Sequence, residues 1–325
     1  MPSRAKKPLA LLLTHSGDFF GIDRVARALR RLGWNALRFD TDTFPAEASL
    51  TVERRSEGVD GVLELQRHGV RLSEVRAVWL RRFWPPVLPQ SMTPEDRAAC
   101  AEASWVSLRD ALVHLTRCRW VNGFEASERA ESKVLQFKLA QRLGLALPDT
   151  VLTNSPAAVE RFHADYPRVV TKLVTPLTQA MQTERFVYTT ELKADDFRSL
   201  DGLRWAPQIF QPLIEKAREL RVVIVGDETF VGALEVQGVT DWRQLPRGAA
   251  KWQRAELPRA VEVRSRRLLR ELGLISGVLD FIITPEERCV FLEVNPAGEW
   301  GWLEEDLGFD ISGAFARALV SRVTP

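Results

Sequence analysis

The sequence has few of the residues that build metal centres or disulfide frameworks. Its 325 residues include 3 cysteines and 4 histidines, and none of these is spaced as zinc or redox motifs require. It also has no apolar run long enough to cross a bilayer, so a membrane protein is not expected. These absences are typical of a chain that works in a reducing compartment, and we expect a cytoplasmic protein.

An excess of charge of either sign is also absent. The chain carries 45 Lys and Arg residues against 43 Asp and Glu residues, and this net charge of +2 gives no reason to expect a nucleic-acid partner. A G-x-G-x-x-G motif is missing, so dinucleotide binding has no support. What the sequence does have is 45% hydrophobic residues, enough for a good core. Its length suggests about two domains.

The first third alternates between strand and helix patterns. Its predicted elements are a strand over 8–15, a helix over 21–33, a strand over 34–40, a hairpin over 49–72, a strand over 75–84 and a helix over about 94–118. In the hairpin, turns are expected at Gly58 and Gly61. This order indicates a small α/β domain, which we assign to residues 1–121.

The pattern changes from Asn122 onward, where antiparallel pieces become more common. The predicted elements are a helix over 127–144, a strand near 148–153, a helix over 156–166, strands over 168–174, 183–192 and 205–214, two strands around the turn at 226–228, a helix over 259–273, a hairpin over 277–296 and a helix over about 309–322. The mixture of helices and mainly hairpin-linked strands indicates an α+β second domain.

The hairpin near the end of the chain carries two carboxylates and an amide. Glu293 and Asn295 are two residues apart, so both side chains point to the same face of a strand. A four-residue loop puts Thr284 opposite Cys289, and regular pairing from there puts Asp280 opposite Glu293. Oxygens of Asp, Glu and Asn suit a hard cation such as Mg²⁺. The alternative is a strand whose polar residues are solvated at its end.

Three basic residues lie within predicted strands or a predicted helix at positions that the apolar pattern alone does not explain. Lys172 interrupts the strand "RVVTKLV", Lys133 lies one turn into the predicted helix, and Arg221 opens the strand "RVVIVGD". Each one alone is more often a solvated or ion-paired residue. Together with the acidic hairpin they form a set that suits a polyphosphate and its metal ion, because phosphoryl transfer needs mainly positioning and charge neutralisation.

The stretch "QIFQPLIEK" supplies a candidate for the base of a nucleotide. The extended segment from Gln208 through Ile209 and Phe210 to Gln211 offers backbone N–H and C=O groups to an adenine edge, with apolar neighbours for the ring. Glu215 lies where a carboxylate can reach a ribose hydroxyl. A plain connecting strand is the alternative, and the segment is a candidate only because the other elements accompany it.

The order of these elements resembles the ATP-grasp superfamily. A lysine near a helix start, a lysine in a strand, a hinge, the arginine of "ELR" and an aspartate followed by "LEVNP" occur in this order here. The resemblance covers roughly residues 122–325, and the first third resembles the small pre-grasp domain of these enzymes. It implies an ATP-grasp domain over 122–325, with the nucleotide between two subdomains and a hinge near 207–212.

More narrowly, several motifs resemble the ATP-grasp peptide maturases that make microviridin-type graspetides. These motifs are "WLRR", "VYTTEL", "IFQPLIEKARELRVVIVGD", "DWR" and "LEVNPAGEWGWLE". The resemblance implies an enzyme that uses ATP and Mg²⁺ to phosphorylate Asp or Glu side chains of a ribosomal precursor peptide. A Ser, Thr or Lys side chain then closes an ω-ester or ω-amide ring. It also implies a precursor peptide as partner and a homodimer.

The resemblance assigns a role to each candidate residue. The phosphate contacts are Lys133, Lys172 and Arg221; the adenine hinge is Gln208, Ile209, Phe210 and Gln211; the ribose contact is Glu215; the Mg²⁺ ligands are Asp280, Glu293 and Asn295; and the substrate carboxylate contact is Arg243. The catalytic set is therefore Lys172, Arg221 and Arg243. Arg81 and Arg82 are weaker candidates for the peptide, with a solvated strand end as the favoured interpretation, and Trp300 and Trp302 are expected to pack.

One departure from the superfamily bears on nucleotide binding. Where many ATP-grasp proteins have a glycine-rich loop over the phosphates, residues 175–188 read "TPLTQAMQTERFVY" and contain no glycine. Two other functions therefore stay open. One is an ATP-grasp ligase that joins an amino acid or other small acceptor to a carboxylate, and the other is a nucleotide-binding protein without turnover.

Overall fold

The computed structural model describes residues 7–18, 21–65, 68–174, 189–235, 240–244 and 249–321. Its helices are α1 Gly21–Arg31, α2 Pro94–Leu115, α3 Phe124–Glu131, α4 Lys133–Arg142, α5 Pro156–Asp165, α6 Arg259–Leu272, α7 Gly301–Leu307 and α8 Ile311–Val320. Among the described residues, no helix is both long and apolar enough to cross a membrane.

The strands follow the predicted order, with short additions. They are β1 Leu9–Thr14, β2 Asn35–Asp40, β3 Ala48–Arg55, β4 Gly58–Leu65, β5 His68–Arg71, β6 Val75–Leu80, β7 Arg119–Val121, β8 Val151–Thr153, β9 Val169–Leu173, β10 Thr190–Glu191, β11 Gln208–Pro212, β12 Arg218–Val225, β13 Glu228–Glu235, β14 Gln253–Arg254, β15 Ser276–Ile283 and β16 Cys289–Asn295. Helix α7 and the 3-10 segment Asp196–Trp205 were not predicted.

The first third of the chain forms two sheets. Strands β2, β1, β6 and β7 pair in that order as a parallel sheet, and β3, β4 and β5 form a small antiparallel sheet beside it. The predicted turn at Gly61 is wrong, since Gly61 lies inside β4. A Cβ there would come within 2.9 Å of Leu115, so packing against α2 explains the glycine. The turn precedes Gly58, whose φ of 141° favours glycine.

The rest of the chain builds two antiparallel sheets that enclose the candidate site. One has the order β10-β9-β11-β8, and the other has the order β14-β13-β12-β15-β16. Helices α4 and α6 cover one face of the second sheet, where Leu139 and Leu268 meet Phe281 and Phe291 in one apolar cluster. Polar side chains that alternate with these core residues therefore point away from the helices, toward the first of the two sheets.

The predicted single helix over 127–144 is two helices, α3 and α4, which break at Ser132. The Ser132 hydroxyl accepts a hydrogen bond from the backbone N–H of Leu135, which caps the second helix. Lys133 is consequently the first residue of α4 rather than a residue one turn into a helix. Its side chain is buried and faces the second sheet.

The two parts of the chain share a core. One cluster joins Leu12 and Trp79 of the first third to Val278, Trp300 and Phe315 of the last part. At the junction, the Asn122 side-chain amide donates to the carbonyl of Ser276 at 2.9 Å, and its oxygen accepts from the N–H groups of Ile275 and Ser276. The division into residues 1–121 and 122–325 stays a prediction.

Candidate active site

A bulge in the hairpin of β15 and β16 sets the position of the two predicted acids. Asp280 lies opposite Glu293, as predicted, but Thr284 does not lie opposite Cys289, and that part of the prediction is wrong. Ile283 pairs with Cys289, and regular pairing from this turn would leave Leu292 opposite Asp280. The register instead shifts by one residue between Asp280 and Phe281, because Leu292 has no partner of its own.

The bulge sends two consecutive side chains to the same face. Phe291 and Val294 are both fully buried in the core under α4 and α6. Leu292 and Glu293, which lie between them, both line a pocket on the opposite face of the sheet. An unbulged strand of this sequence would alternate, so Phe291 and Glu293 would share a face and the carboxylate would enter the core.

Each of the two carboxylates is held by a buried cation. Arg221 on β12 lies opposite Asp280, and its Nη1 is 2.8 and 2.9 Å from the two carboxylate oxygens. The Nζ of Lys133 lies 2.6 Å from Oε2 of Glu293. Asn295 joins the two pairs, since its Nδ2 donates to Asp280 at 3.3 Å and to Glu293 at 3.2 Å. The site residues thus form one connected polar network.

Lys172 reaches the same network from the other sheet. It lies on β9 opposite Ile209 of β11 and lines the pocket with Asp280 and Glu293. Burial lowers the pKa of Lys172; Glu293 opposes this shift, and the charge of Lys133 adds to it. Burial would raise the pKa of Glu293, but Lys133 and Lys172 outweigh it and hold that pKa well below its usual value. Glu293 is therefore ionised at neutral pH.

Arg243 faces the acids from a third direction. Its Nη1 lies 3.0 Å from Oδ2 of Asp241, a buried carboxylate that also accepts the backbone N–H of Arg243 at 3.0 Å. Burial lowers the pKa of the guanidinium, but Asp241, Asp280 and Glu293 outweigh it and raise that pKa. The side chain keeps 44% exposure. It can therefore contact a bound carboxylate at the mouth of the pocket.

The predicted adenine hinge lies only partly on the pocket. Gln208, Ile209 and Phe210 pair with β8 on one side and β9 on the other, so much of their backbone hydrogen bonding lies within the sheet. Within the described residues, Gln211 is the member of the predicted hinge that lines the pocket, followed by residues 212–214. The part of this segment that lines the pocket is thus the last predicted hinge residue and the three residues that follow it.

Glu215, the predicted ribose contact, is exposed and is not among the described residues that line the pocket. Lys216 and Glu219 line it instead, and their side chains form an ion pair, with Lys216 Nζ also 2.8 Å from the carbonyl of Thr240. Burial raises the pKa of Glu219, although Lys216 opposes the shift. Glu219 could have been found from the sequence, because it precedes Arg221 by two residues in a strand.

The donor set suits a hard cation. Within the described residues there is no cluster of three His, Cys, Asp or Glu side chains that could hold a metal ion. The candidate ligands are two carboxylates and one amide, which fits Mg²⁺ because this ion keeps several positions for water and phosphate. The amide of Asn295 now points its NH₂ group at both carboxylates. A half-turn of that amide would present its oxygen to a cation.

Sequence reasoning missed a glutamine that fixes the strand between two of the predicted ligands. Gln136 is fully buried on α4, and its Oε1 accepts the backbone N–H of Val294 at 3.0 Å. Its Nε2 donates to the carbonyl of Val294 at 2.8 Å and to that of Ala130 at 2.6 Å. The available signal was its spacing of three residues from Lys133, which puts both on one face of α4.

The first third of the chain reaches the site through Arg81 and Arg82. Arg81 is 3% exposed, so its interpretation as a solvated strand end is wrong. Its Nη2 lies 2.5 Å from Oε1 of Glu299, and Arg82 Nη2 lies 2.8 Å from the same oxygen. Partial burial raises the pKa of Glu299, but the two guanidinium groups outweigh it and lower that pKa. The backbone carbonyl of Glu299 accepts from Arg221 Nη2 at 2.8 Å.

The tryptophans near the site pack, as predicted. Trp300 is 2% exposed and stacks on Phe315 at 5.3 Å. Trp302 lies against Trp252 and against Trp242, which lines the pocket. The predicted phosphate-covering stretch, residues 175–188, lies outside the described residues.

Comparison with known proteins shows what this arrangement resembles. The family model for the MvdD pre-ATP grasp domain matches residues 9–128. No curated protein sequence matches the chain. Among solved structures, macrocyclase MdnC from Microcystis aeruginosa MRC, bound with precursor peptide MdnA, is 34% identical with a TM-score of 0.88, and the match covers 96% of this chain and 99% of MdnC.

Two further structures are similar over nearly their full length. Macrocyclase MdnB from the same organism is 37% identical with a TM-score of 0.83, over 98% of this chain and 100% of MdnB. A RiPP-associated ATP-grasp ligase from Chryseobacterium gregarium, in complex with ADP and a leader and core peptide, is 28% identical with a TM-score of 0.86, over 96% of each chain.

These similarities confirm the predicted fold class. The chain has an ATP-grasp fold preceded by an α/β pre-grasp region, and it is an ATP-grasp ligase by family. The matches to MdnB and MdnC cover 98% and 96% of this chain, so they extend over both of its parts. The chain belongs to the family of ATP-grasp ligases that includes the macrocyclases MdnB and MdnC.

Proposed function

We propose that this protein is an ATP- and Mg²⁺-dependent ligase that activates Asp or Glu side chains of a ribosomal precursor peptide and closes ω-ester or ω-amide rings with Ser, Thr or Lys. The observation that carries the proposal is the convergence of four cations on two carboxylates at one pocket. Lys172 and Arg243 line the pocket together with Asp280 and Glu293, which face each other on the sheet. Lys133 and Arg221 contact the same two carboxylates from other elements.

The pocket has an apolar end and a charged end, as a nucleotide requires. Ile282 and Leu292 lie on one sheet, and residues 211–214 comprise the end of β11 on the other sheet and the segment that follows it. We assign the adenine to this end, with its edge at the backbone that follows β11. Glu219 and Lys216 line the pocket and Glu215 is not among its described lining residues, so Glu219 and Lys216 are our candidates for the ribose. Gln208, Ile209 and Phe210 would then support the hinge from within the sheet.

The charged end suits the phosphates. Asp280, Glu293 and Asn295 would hold Mg²⁺, which supplies charge neutralisation on the phosphate oxygens when bound. Lys133 and Lys172 neutralise the remaining phosphate charge from two sides. Arg221 is fixed by Asp280 and by the carbonyl of Glu299, so its guanidinium needs no reorganisation when charge develops beside it.

The proposed chemistry balances without a covalent bond to the protein. A substrate carboxylate oxygen attacks the γ-phosphorus of ATP, and ADP leaves. The hydroxyl or amine of the second side chain then attacks the acyl carbon, loses its proton, and expels phosphate. Arg243 would grip the carboxylate before transfer, since a guanidinium binds two carboxylate oxygens in one plane. Holding both side chains in one cleft supplies most of the rate of ring closure.

A peptide substrate is supported by what the relatives contain. MdnC has been solved with precursor peptide MdnA, and the Chryseobacterium gregarium ligase with a leader and core peptide. Both are similar to this chain over almost its whole length. We further propose a homodimer in the cytoplasm, which light scattering and cell fractionation would test separately from activity.

The test is intact mass spectrometry of an acidic precursor peptide after incubation with this protein, ATP and Mg²⁺. Loss of one water per ring is expected, with matching ADP release. The variant Lys172→Ala is the control for a contaminating ligase and should give no loss. ATP hydrolysis without a mass change would favour a small acceptor in place of the peptide. The absence of both ATP hydrolysis and a mass change, with every precursor that binds, would overturn the proposal.

A further inference from the structure

A large cavity lies far from the site discussed so far. Its volume is about 1200 Å³, and it is formed at the edge of the parallel sheet where β1, β2, β6 and β7 begin. Arg81 follows the other end of β6 and pairs with Glu299, and it is six residues from Val75, where β6 begins beside the cavity. At a rise of about 3.3 Å per residue, the cavity and the Arg81–Glu299 contact are roughly 20 Å apart.

Basic side chains dominate the charged lining of this cavity. Lys7, Arg30, Arg76 and Arg119 line it, and Glu74 is the one acid among the described lining residues. No carboxylate of the described chain lies within 4.0 Å of any of these four cations. Four cations against one acid leave a net positive charge in the described lining, which attracts an anion.

The arginines are held in place without being neutralised. Arg119 Nε donates to the carbonyl of Ala318 at 2.5 Å, and Arg76 Nη1 donates to that of Ser73 at 2.9 Å. Arg30 Nη2 reaches the carbonyl of Ala36 at 3.4 Å. Backbone carbonyls fix the direction of each guanidinium but leave its charge, so further N–H groups can pair with a carboxylate or phosphate.

A strand edge borders the same space. His68, Gly69 and Val70 are consecutive residues of β5, and all of them line the cavity. Because neighbouring side chains of a strand point to opposite faces, three in a row border one space only along the strand edge. β5 is the outer strand of the order β3-β4-β5, and within the described residues no backbone hydrogen bond reaches it from the side away from β4.

An open strand edge selects the class of anion. Unpaired backbone N–H and C=O groups pair with another extended chain, and a peptide that adds to such an edge gains affinity from its own backbone. Apolar wall residues such as Trp34 and Leu9 would suit its other side chains. A nucleotide or free phosphate would use the cations but would have no use for the strand edge.

We propose that this cavity is a second peptide-binding site, which takes an acidic segment in extended form by adding it to β5 and pairing its carboxylates with Lys7, Arg30, Arg76 and Arg119. If the function proposed above holds, this site retains acid-rich parts of the peptide away from the pocket of Asp280, on the far side of the parallel sheet from the Arg81–Glu299 contact. The binding itself does not depend on that function, because it uses none of the residues around Asp280.

The test uses a fluorescent eight-residue peptide of alternating Glu and Thr, which puts all its carboxylates on one face when extended. Its affinity is measured by anisotropy for the full-length protein, for Arg30→Glu/Arg76→Glu, and for the control Arg54→Glu. Arg54 is exposed on β3, has no ion pair with a described residue, and is not among the described residues that line the cavity. The peptide with Gln in place of Glu reports on charge.

The cavity variant should bind at least about tenfold more weakly, the control should match the wild type, and the Gln peptide should bind poorly. Hydrogen exchange at residues 68–71 should slow with the Glu peptide but not with ADP or inorganic phosphate. If the double charge reversal does not fold, Arg30→Gln/Arg76→Gln replaces it, with a smaller loss expected.

Equal affinity of wild type and cavity variant would overturn the proposal, as would slowed exchange with phosphate alone. The variant Arg243→Ala separates the two proposals: if it alone loses the peptide, the peptide binds at the pocket of Asp280 and the cavity proposal fails. Peptide bound at the cavity by a protein that makes no rings would instead contradict the proposed function only.

Discussion

Arg221 and Asp280 lie opposite each other on β12 and β15, and a single nitrogen of the guanidinium, Nη1, is within 2.9 Å of both carboxylate oxygens. The other end of the guanidinium donates from Nη2 to the carbonyl of Glu299 at 2.8 Å. Arg221 therefore ties the candidate metal ligand to the loop that Arg81 and Arg82 hold. A lysine side chain has a single nitrogen and cannot make both contacts at once.

The substitution Arg221→Lys tests this double contact. We expect the rate of peptide modification at saturation to fall by about a hundredfold, the size seen when a fixed donor to developing charge is lost. The affinity for ADP should change much less, because Lys133 and Lys172 remain. Single-turnover rates and ADP titrations would measure the two effects. Equal losses in both would assign Arg221 to nucleotide binding alone.

The substitutions Asp280→Asn and Glu293→Gln test the metal assignment. Each keeps the shape of the side chain and removes one negative charge, so the Mg²⁺ concentration needed for half-maximal ATP consumption should rise at least about tenfold. Circular dichroism should show an unchanged fold. Lys138→Gln, on the exposed side of α4, is the matched control and should behave as wild type. Normal ATP consumption by both acidic-site variants would refute the assignment.

The substitution Lys133→Met should make stability depend differently on pH. In the wild type, lysines lower the pKa of Glu293, so its contribution is present at neutral pH and is lost as pH falls below the ordinary carboxyl value of about 4.3. Without Lys133, Lys172 is the one lysine left to oppose the burial that favours the protonated form of Glu293. Protonation of Glu293 at low pH would then cost the folded variant less than it costs the wild type. The difference in unfolding free energy should be about 2 kcal/mol at neutral pH, since Glu293 keeps 22% exposure.

That difference should shrink as pH falls toward the carboxyl range. Urea unfolding of both proteins across this range would measure it. A difference that stays constant with pH would mean that Lys133 stabilises the fold through packing of its side chain and not through the charge of Glu293.

The substitution Arg243→Ala should raise KM for the peptide by about tenfold or more while leaving KM for ATP within about twofold, because the side chain lies at the exposed mouth of the pocket. Arg243→Lys should recover only part of the loss, since an ammonium cannot bind two carboxylate oxygens in one plane. Steady-state kinetics with each substrate varied would measure both constants. A raised KM for ATP alone would place Arg243 at the phosphates.

Sequence patterns predicted the elements that carry the site better than the contacts among them. The alternation around "FLEVNP" predicted a strand that presents Glu293 and Asn295 together, and the structure has this strand. The position of Asp280 opposite Glu293 was also predicted, although from a loop length that the structure does not have. Two deviations, one in the loop and one at the bulge, cancelled each other.

Contacts between distant segments left no local signal. Gln136 is one more polar residue in an amphipathic helix until Val294, 158 positions later, is placed beside it. Arg81 precedes a proline-rich stretch and resembles a solvated strand end, yet Glu299 and the carbonyl of Ala297 take up its guanidinium. Such pairs depend on how sheets pack, which period-two or period-3.6 patterns do not encode.

The unpaired Leu292 gives β16 an uncommon property. An ordinary strand offers every second residue to a surface, so its neighbours along that surface are about 7 Å apart. Here the adjacent residues Leu292 and Glu293 both point into the pocket. The apolar and the charged parts of the pocket therefore meet at one peptide unit. A ligand that spans both parts of the pocket contacts two consecutive residues of one strand. A change that displaces Leu292 therefore also displaces Glu293. Base recognition and metal affinity should therefore vary together across variants of this strand, and engineering one without the other will require changes on β15 instead.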